Sequence, residues 1–128
     1  MATNIYNSNS MITVQWVNGT GSAVSAGDIV TMGTTGDATL GIALVDIAST
    51  ATGSVGFNCG VTAAKVSAAV FADGESLIWD SSASAFDDNQ ATAASGDVTG
   101  SSRADAAGAN TETTCSVWLT GIPGTLTA

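Results

Sequence analysis

Ile12, Val14 and Trp16 alternate with Thr13 and Gln15, the period-two pattern of a strand with one buried face. The same alternation returns at Asp28–Met32, Leu40–Val45, Val55–Cys59, Ser76–Asp80, Asp97–Arg103 and Thr113–Thr120. Gly, Asn, Asp and Ser punctuate the gaps, and the only proline, Pro123, lies near the C-terminus. These seven short runs predict an all-β chain folded as a small β-barrel or β-tulip-like sandwich. Gly33-Thr34-Thr35-Gly36-Asp37 lies between two of the runs, and its glycines can supply the positive φ angles of a hairpin turn. VTAAKVSAAVFAD, residues 61–73, is the one stretch where a short helix is predicted. Ala83–Thr111 reads as long loops around a weak strand. Residues 1–10 show no core-like alternation and read as an N-terminal arm, ahead of a single β domain over residues 11–128.

A loose internal echo runs through the pattern. Gly27-Asp28-Ile29-Val30 opens one unit and Gly74-Glu75-Ser76-Leu77 another. Each is followed by a turn, by a Gly-led stretch (Gly41-Ile42-Ala43 or Gly100-Ser101-Ser102), and by a strand holding Val55 or Val117. A duplicated β-unit and convergent turn chemistry account for this almost equally well.

Composition strengthens the β reading. Ala, Thr, Ser and Gly supply 70 of the 128 residues, whereas charged residues make up only 10%. The formal net charge is −9, with Lys65 and Arg103 the only cations. Two cations cannot form the basic face that displaces counterions from phosphates, so nucleic acid is excluded as a partner. The same charge disfavours an anionic membrane surface, and no apolar run approaches the roughly 20 residues of a membrane span. Cys59 and Cys115 each fall in an alternating run, as small inward-facing residues with free thiols, although a bridge between them stays open. The N-terminal MATNIYNSNS has neither the basic region nor the apolar core of a signal peptide, so synthesis in a cytoplasm is expected.

The chemical motifs are weak. Gly36 and Gly41 have phosphate-loop spacing, but Ile42 and Ala43 follow in place of Lys and Ser or Thr. Histidine is absent, which removes Ser-His-Asp and Cys-His catalysis. Thr62-Ala63-Ala64-Lys65 only loosely matches a nucleophile-lysine motif. Asp87-Asp88-Asn89 lacks the spacing of glycosidase carboxylates and of a calcium loop. Asn18-Gly19-Thr20 is a formal glycosylation sequon that reads as turn residues. No catalytic, cofactor-binding or metal-ligating residue is nominated. Trp16, Trp79 and Trp118 sit in predicted strands, where tryptophan serves core or subunit contacts more often than sugar stacking.

The succession MA-x-N, ITVQW, AGDIVTMG, LGIALVD, V-G-F-x-C-G-V-x-A-A-K and D-G-E-S-L-I-W-D resembles the capsid cement, or decoration, proteins of tailed bacteriophages. The resemblance covers residues 1–80 and is best at Gly27, Gly41, Ala43, Gly60, Lys65, Gly74, Trp79 and Asp80. The chain departs from the family in having Ala64 where proline usually precedes the lysine. The resemblance implies a virion protein that binds the outer surface of an expanded capsid and staples its major capsid proteins, often as a homotrimer, with no cofactor. On this reading the arm is disordered when free and orders on binding, with Ile5 and Tyr6 as its anchor and Trp16 as a further contact. The competing reading is a tail, fibre or surface-adhesion sandwich that binds host glycans, which requires the three tryptophans in one exposed patch. An enzyme using Asp87 or Asp88 is the third and weakest.

Overall fold

Strands form where the alternation put them, and their pairing explains what the alternation missed. A computed structural model describes residues 3–34 and 36–128. β2 (Ile12–Val17), β3 (Ile29–Thr34), β4 (Asp37–Ala43) and β5 (Thr52–Phe57) make an antiparallel sheet in the order β2-β5-β4-β3. The larger sheet contains β1 (Asn4–Asn7), β6 (Cys59–Ala64), β7 (Ser76–Asp80), β8 (Ala85–Asp87), β9 (Val98–Ala104) and β10 (Thr114–Leu119). Its order is β1-β6-β10-β9-β7-β8, with β11 (Thr125–Leu126) paired to β9. The two sheets do not close on one another, so the architecture is a small β-sandwich and the barrel alternative falls. Among the described residues there is no helix.

The glycine-rich stretch is a hairpin. Ile29 pairs with Ile42 and Thr34 with Asp37 in unbroken register, and Gly33 and Gly36 take φ angles of 110° and 84°. Thr35 lies outside the described residues. Two other expectations are corrected. The run Val55–Cys59 is split at Asn58, whose φ of 54° turns the chain out of the smaller sheet and into the larger; asparagine tolerates that region better than most residues. The predicted helix is instead the end of β6 and the loop after it. Val61 and Ala63 face inward while Cys115 and Val117 of β10 pair across from them, and this ladder overrides the helix propensity of the alanines.

The arm is corrected too. Met1 and Ala2 lie outside the described residues, but Asn4–Asn7 form β1 on the edge of β6 in the chain by itself. Ile5 opposes Val61 and packs against the main core, which explains why the arm has an apolar residue at that position.

Ala38, Leu40 and Ile42, on one face of β4, join Val61, Leu77, Phe86, Val98, Val117 and Leu119 in the main core. Ala43, on the other face, joins Val24, Val30, Ile47 and Val55 in a second cluster. Cys59 and Cys115 are buried and free, opposite Leu119 and Ala63 respectively. They are four residues apart along one ladder, about 13 Å and too far for a disulfide. Burial pushes the Cys115 thiol up from 9.0 to about 12, against the opposing pull of Lys65, and raises Cys59 as well. A group whose folded pKa is raised stabilises the fold while it stays protonated, and that contribution disappears as pH climbs through the window between the two values. Stability is therefore expected to hold up to pH 9 and to decline toward pH 12. Urea midpoints measured across that range check it, and a flat profile would contradict the burial of the thiols.

The internal echo is a duplication of β units. β2-β5-β4-β3 and β6-β10-β9-β7 have the same strand order and direction. Their loops repeat bond for bond. Ala43 N–H donates to Asp28 O as Ala104 N–H donates to Glu75 O, and Gly27 N–H donates to Ala43 O as Gly74 N–H donates to Ala104 O. Val24 and Ile47 exchange backbone hydrogen bonds as Phe71 and Gly108 do, and Thr50 and Thr111 both adopt positive φ. Convergent turns alone would not reproduce the whole set.

Candidate functional site

Each repeat places one buried polar side chain immediately after its first strand. Asn18 follows β2 and is fully buried. Its amide donates to the carbonyls of Ser22 and Ile47 at 2.8 and 3.0 Å, and its Oδ1 accepts from the Thr20 backbone and hydroxyl. Lys65 follows β6 and is also buried, with its Nζ donating to the carbonyls of Val66, Ser67 and Glu112 at 2.8, 3.0 and 3.1 Å. Both side chains donate to carbonyls of the loops that follow the strands, adding to the backbone bonds there. The sequon asparagine is thus a structural plug, and the lysine is held away from Thr62, which is on the opposite face of β6 by strand alternation.

The acidic residues are similarly engaged. Asp88 accepts from the backbone of Val70 and Gln90, and Asp87 accepts from Asp88 N–H. Asp97 caps the turn before β9, accepting from Ser81 and Ala94 backbone groups at 3.1 and 2.9 Å. Asp80 binds Ser82 and Ala83, and these hydrogen bonds hold its carboxyl below the usual value. These carboxylates shape turns.

The three nominated contact residues do not form one cluster. Ile5 is used by the chain's own core. Tyr6 lies over Gly60, where any Cβ would collide with its ring, and its hydroxyl donates to Asp105. The ring remains 47% exposed. Burial first, and then the adjacent Asp105 carboxylate, hold the Tyr6 hydroxyl well above its ordinary pKa. Replacing Tyr6 with phenylalanine is expected to lose about 1 kcal/mol and to speed amide exchange in β1; unchanged exchange would show that the hydroxyl does not tether the strand.

Trp16 is on β2, half-buried against the second cluster. Trp118 is in the other sheet, where its indole N–H donates to Asn58 Oδ1 at 3.3 Å. Trp79 is only 8% exposed within the main core. The single tryptophan patch required by the glycan reading does not exist. A cavity of about 340 Å³ does open beside Trp79, lined by Thr3, Thr20, Asp28 and Thr31, but the indole is tilted against Phe86 and offers no stacking face.

What sequence reasoning missed is the edge at β2. Among the described residues, β2 pairs only with β5 and its other side carries no strand. Ile12 and Val17 are 49% and 60% exposed on it. The signal was present in Ile-Thr-Val-Gln-Trp-Val, six consecutive residues without a charge, a proline or a glycine.

Residues 8–119 match the model of the phage cement protein family. The chain belongs to that family. No curated protein matches it. Membership implies a structural, capsid-stabilising role in the virion. No helix among the described residues is long and apolar enough to cross a membrane. In this cement protein Tyr6, Ile12 and Val17 are among the exposed large hydrophobic residues, together with Val45, Val70 and Ile122.

Proposed function

We propose that this cement protein binds the outer surface of an expanded phage capsid and staples neighbouring major capsid proteins non-covalently, as a homotrimer. The observation that carries the reading is the family match over residues 8–119. The charge supports the position outside the shell. At −9, with two cations, the chain has nothing with which to neutralise packaged DNA and is repelled by it. Contact with nucleic acid or with a membrane is not part of the proposal. Repetition of one standard-sized interface, about 1,600 Å², around a symmetric shell would oppose internal DNA pressure without a strong single contact.

Tyr6 and Trp16 are the proposed contact residues, and Ile5 acts by fixing β1 against the core. Adding the purified protein to expanded shells that lack it should raise their melting temperature in proportion to occupancy. Shells that bind none of it, or melt unchanged when saturated, would refute the reading. Sedimentation equilibrium tests the trimer.

A further inference from the structure

The duplication shows what an edge of this kind holds. In the second repeat β6 is the first strand, and its outer edge is covered by β1, the extended tetrapeptide Asn4–Asn7. In the first repeat β2 occupies the equivalent place, and among the described residues no strand covers it. The other free edges are guarded or short. β8 has three residues, β1 has four with a register shift, and β3, which runs to Thr34, is interrupted near its end by Gly33 with a φ of 110°. β2 has six residues in unbroken register with β5, with none of the charges, prolines or bulges that keep free edges from pairing.

The direction of its free groups can be assigned. Asn18 N–H donates inward to Ala51 O. Strand alternation then points the backbone groups of Trp16, Val14 and Ile12 toward β5, and those of Thr13, Gln15 and Val17 out to the open side. A partner strand would find donors and acceptors at those three residues. On the face it would share with Ile12, Val14 and Trp16 it would extend the second apolar cluster.

We infer that β2 is a strand-accepting edge that takes an extended segment of a capsid subunit, pairing with Thr13, Gln15 and Val17; this rests on the capsid-binding reading above. The segment should resemble β1 in form, short and alternating, with apolar side chains on the face continuous with Trp16. It should be neutral or basic, since β2 itself is uncharged while the chain around it carries −9. That charge disfavours a second copy of the chain as the occupant, because two such acidic edges would bring their repulsion together.

Hydrogen exchange on the intact protein, free and bound to expanded shells, tests this. The amides of Thr13, Gln15 and Val17 should exchange freely in solution and slow by about 100-fold or more on shells. Gln15→Pro removes one outward donor while leaving the backbone ladder to β5 intact, and should weaken shell binding about tenfold. Gln15→Ala, which removes only the exposed side-chain bond to Ser54 Oγ, is the stability control and should bind shells normally. Val17→Lys, a charge at a free edge, is a second variant expected to weaken binding if the proline disturbs the fold. Shell binding at full strength by both the proline and the lysine variant, with those amides still exchanging freely, would overturn the edge assignment and leave capsid binding standing. Failure of the unmodified protein to bind shells would overturn both. Protection of the same amides at high protein concentration without shells would assign the edge to a second copy instead and overturn the capsid segment.

Discussion

Replacing Phe86 with alanine is expected to destabilise the protein by about 4 kcal/mol. Phe86 is the largest fully buried side chain and lies on β8, a strand of three residues. Its ring centroid is 4.9 Å from that of Trp79, at an interplanar angle of 58°, the tilted geometry that aromatic pairs favour. Its backbone also ties β8 to the segment that follows β6, pairing with Lys65 and accepting from Val66 N–H at 2.9 Å. Truncation would leave a cavity under a strand too short to collapse into it and would expose the Trp79 indole. Denaturant unfolding measures the loss, and the fluorescence of the native state should shift to longer wavelength. A loss under about 1 kcal/mol would mean that the β7–β8 hairpin repacks freely.

Replacing Lys65 with methionine should cost about 3 kcal/mol, although the substitution keeps most of the side chain's length and apolar stem. The ammonium is the donor for three loop carbonyls. Ser67 O would retain Thr111 N–H and Val66 O would retain Ala69 N–H as partners, whereas Glu112 O has no other donor among the described hydrogen bonds. The penalty comes from losing three charge-assisted bonds made by a buried lysine and from leaving the Glu112 carbonyl without a protein donor. Asn18→Ala probes the equivalent plug in the first repeat with neutral donors and should cost less, because bonds from a charged donor are the stronger ones. Equal losses for the two variants would show that charge contributes nothing at this position. A Lys65→Met protein as stable as the unmodified chain would mean that water replaces the ammonium.

Much of the fold was legible because period-two alternation is a local signal. Ile12–Trp16 and Ser76–Asp80 lie in strands, as does Thr113–Thr120 apart from its two end residues, since each run packs into a core. The signal failed where tertiary pairing decided the outcome. Val61–Ala64 is rich in alanine, and only β10 alongside makes it a strand. β1 alternates too briefly to be recognised without β6 beside it. A single αL residue, Asn58, moves the chain from one sheet to the other inside what reads as one run. The site was less legible still. Ile5, Tyr6 and Trp16 were chosen as apolar or aromatic residues in a polar setting, but sequence could not separate Ile5, which fills the chain's own core, from Ile12, which is exposed. An open edge is defined by the strand that is missing beside it, and only topology reveals that.

A cement protein that sits on the outside of an expanded capsid and holds it together, as proposed, must be visible there. Electron cryomicroscopy of expanded shells, prepared with and without the protein, tests this most directly. The difference density should show the protein on the outer surface at symmetry-related junctions of the major capsid protein, with the β2 edge facing the shell. Density on the inner surface, or no ordered density at saturating protein, would contradict the account.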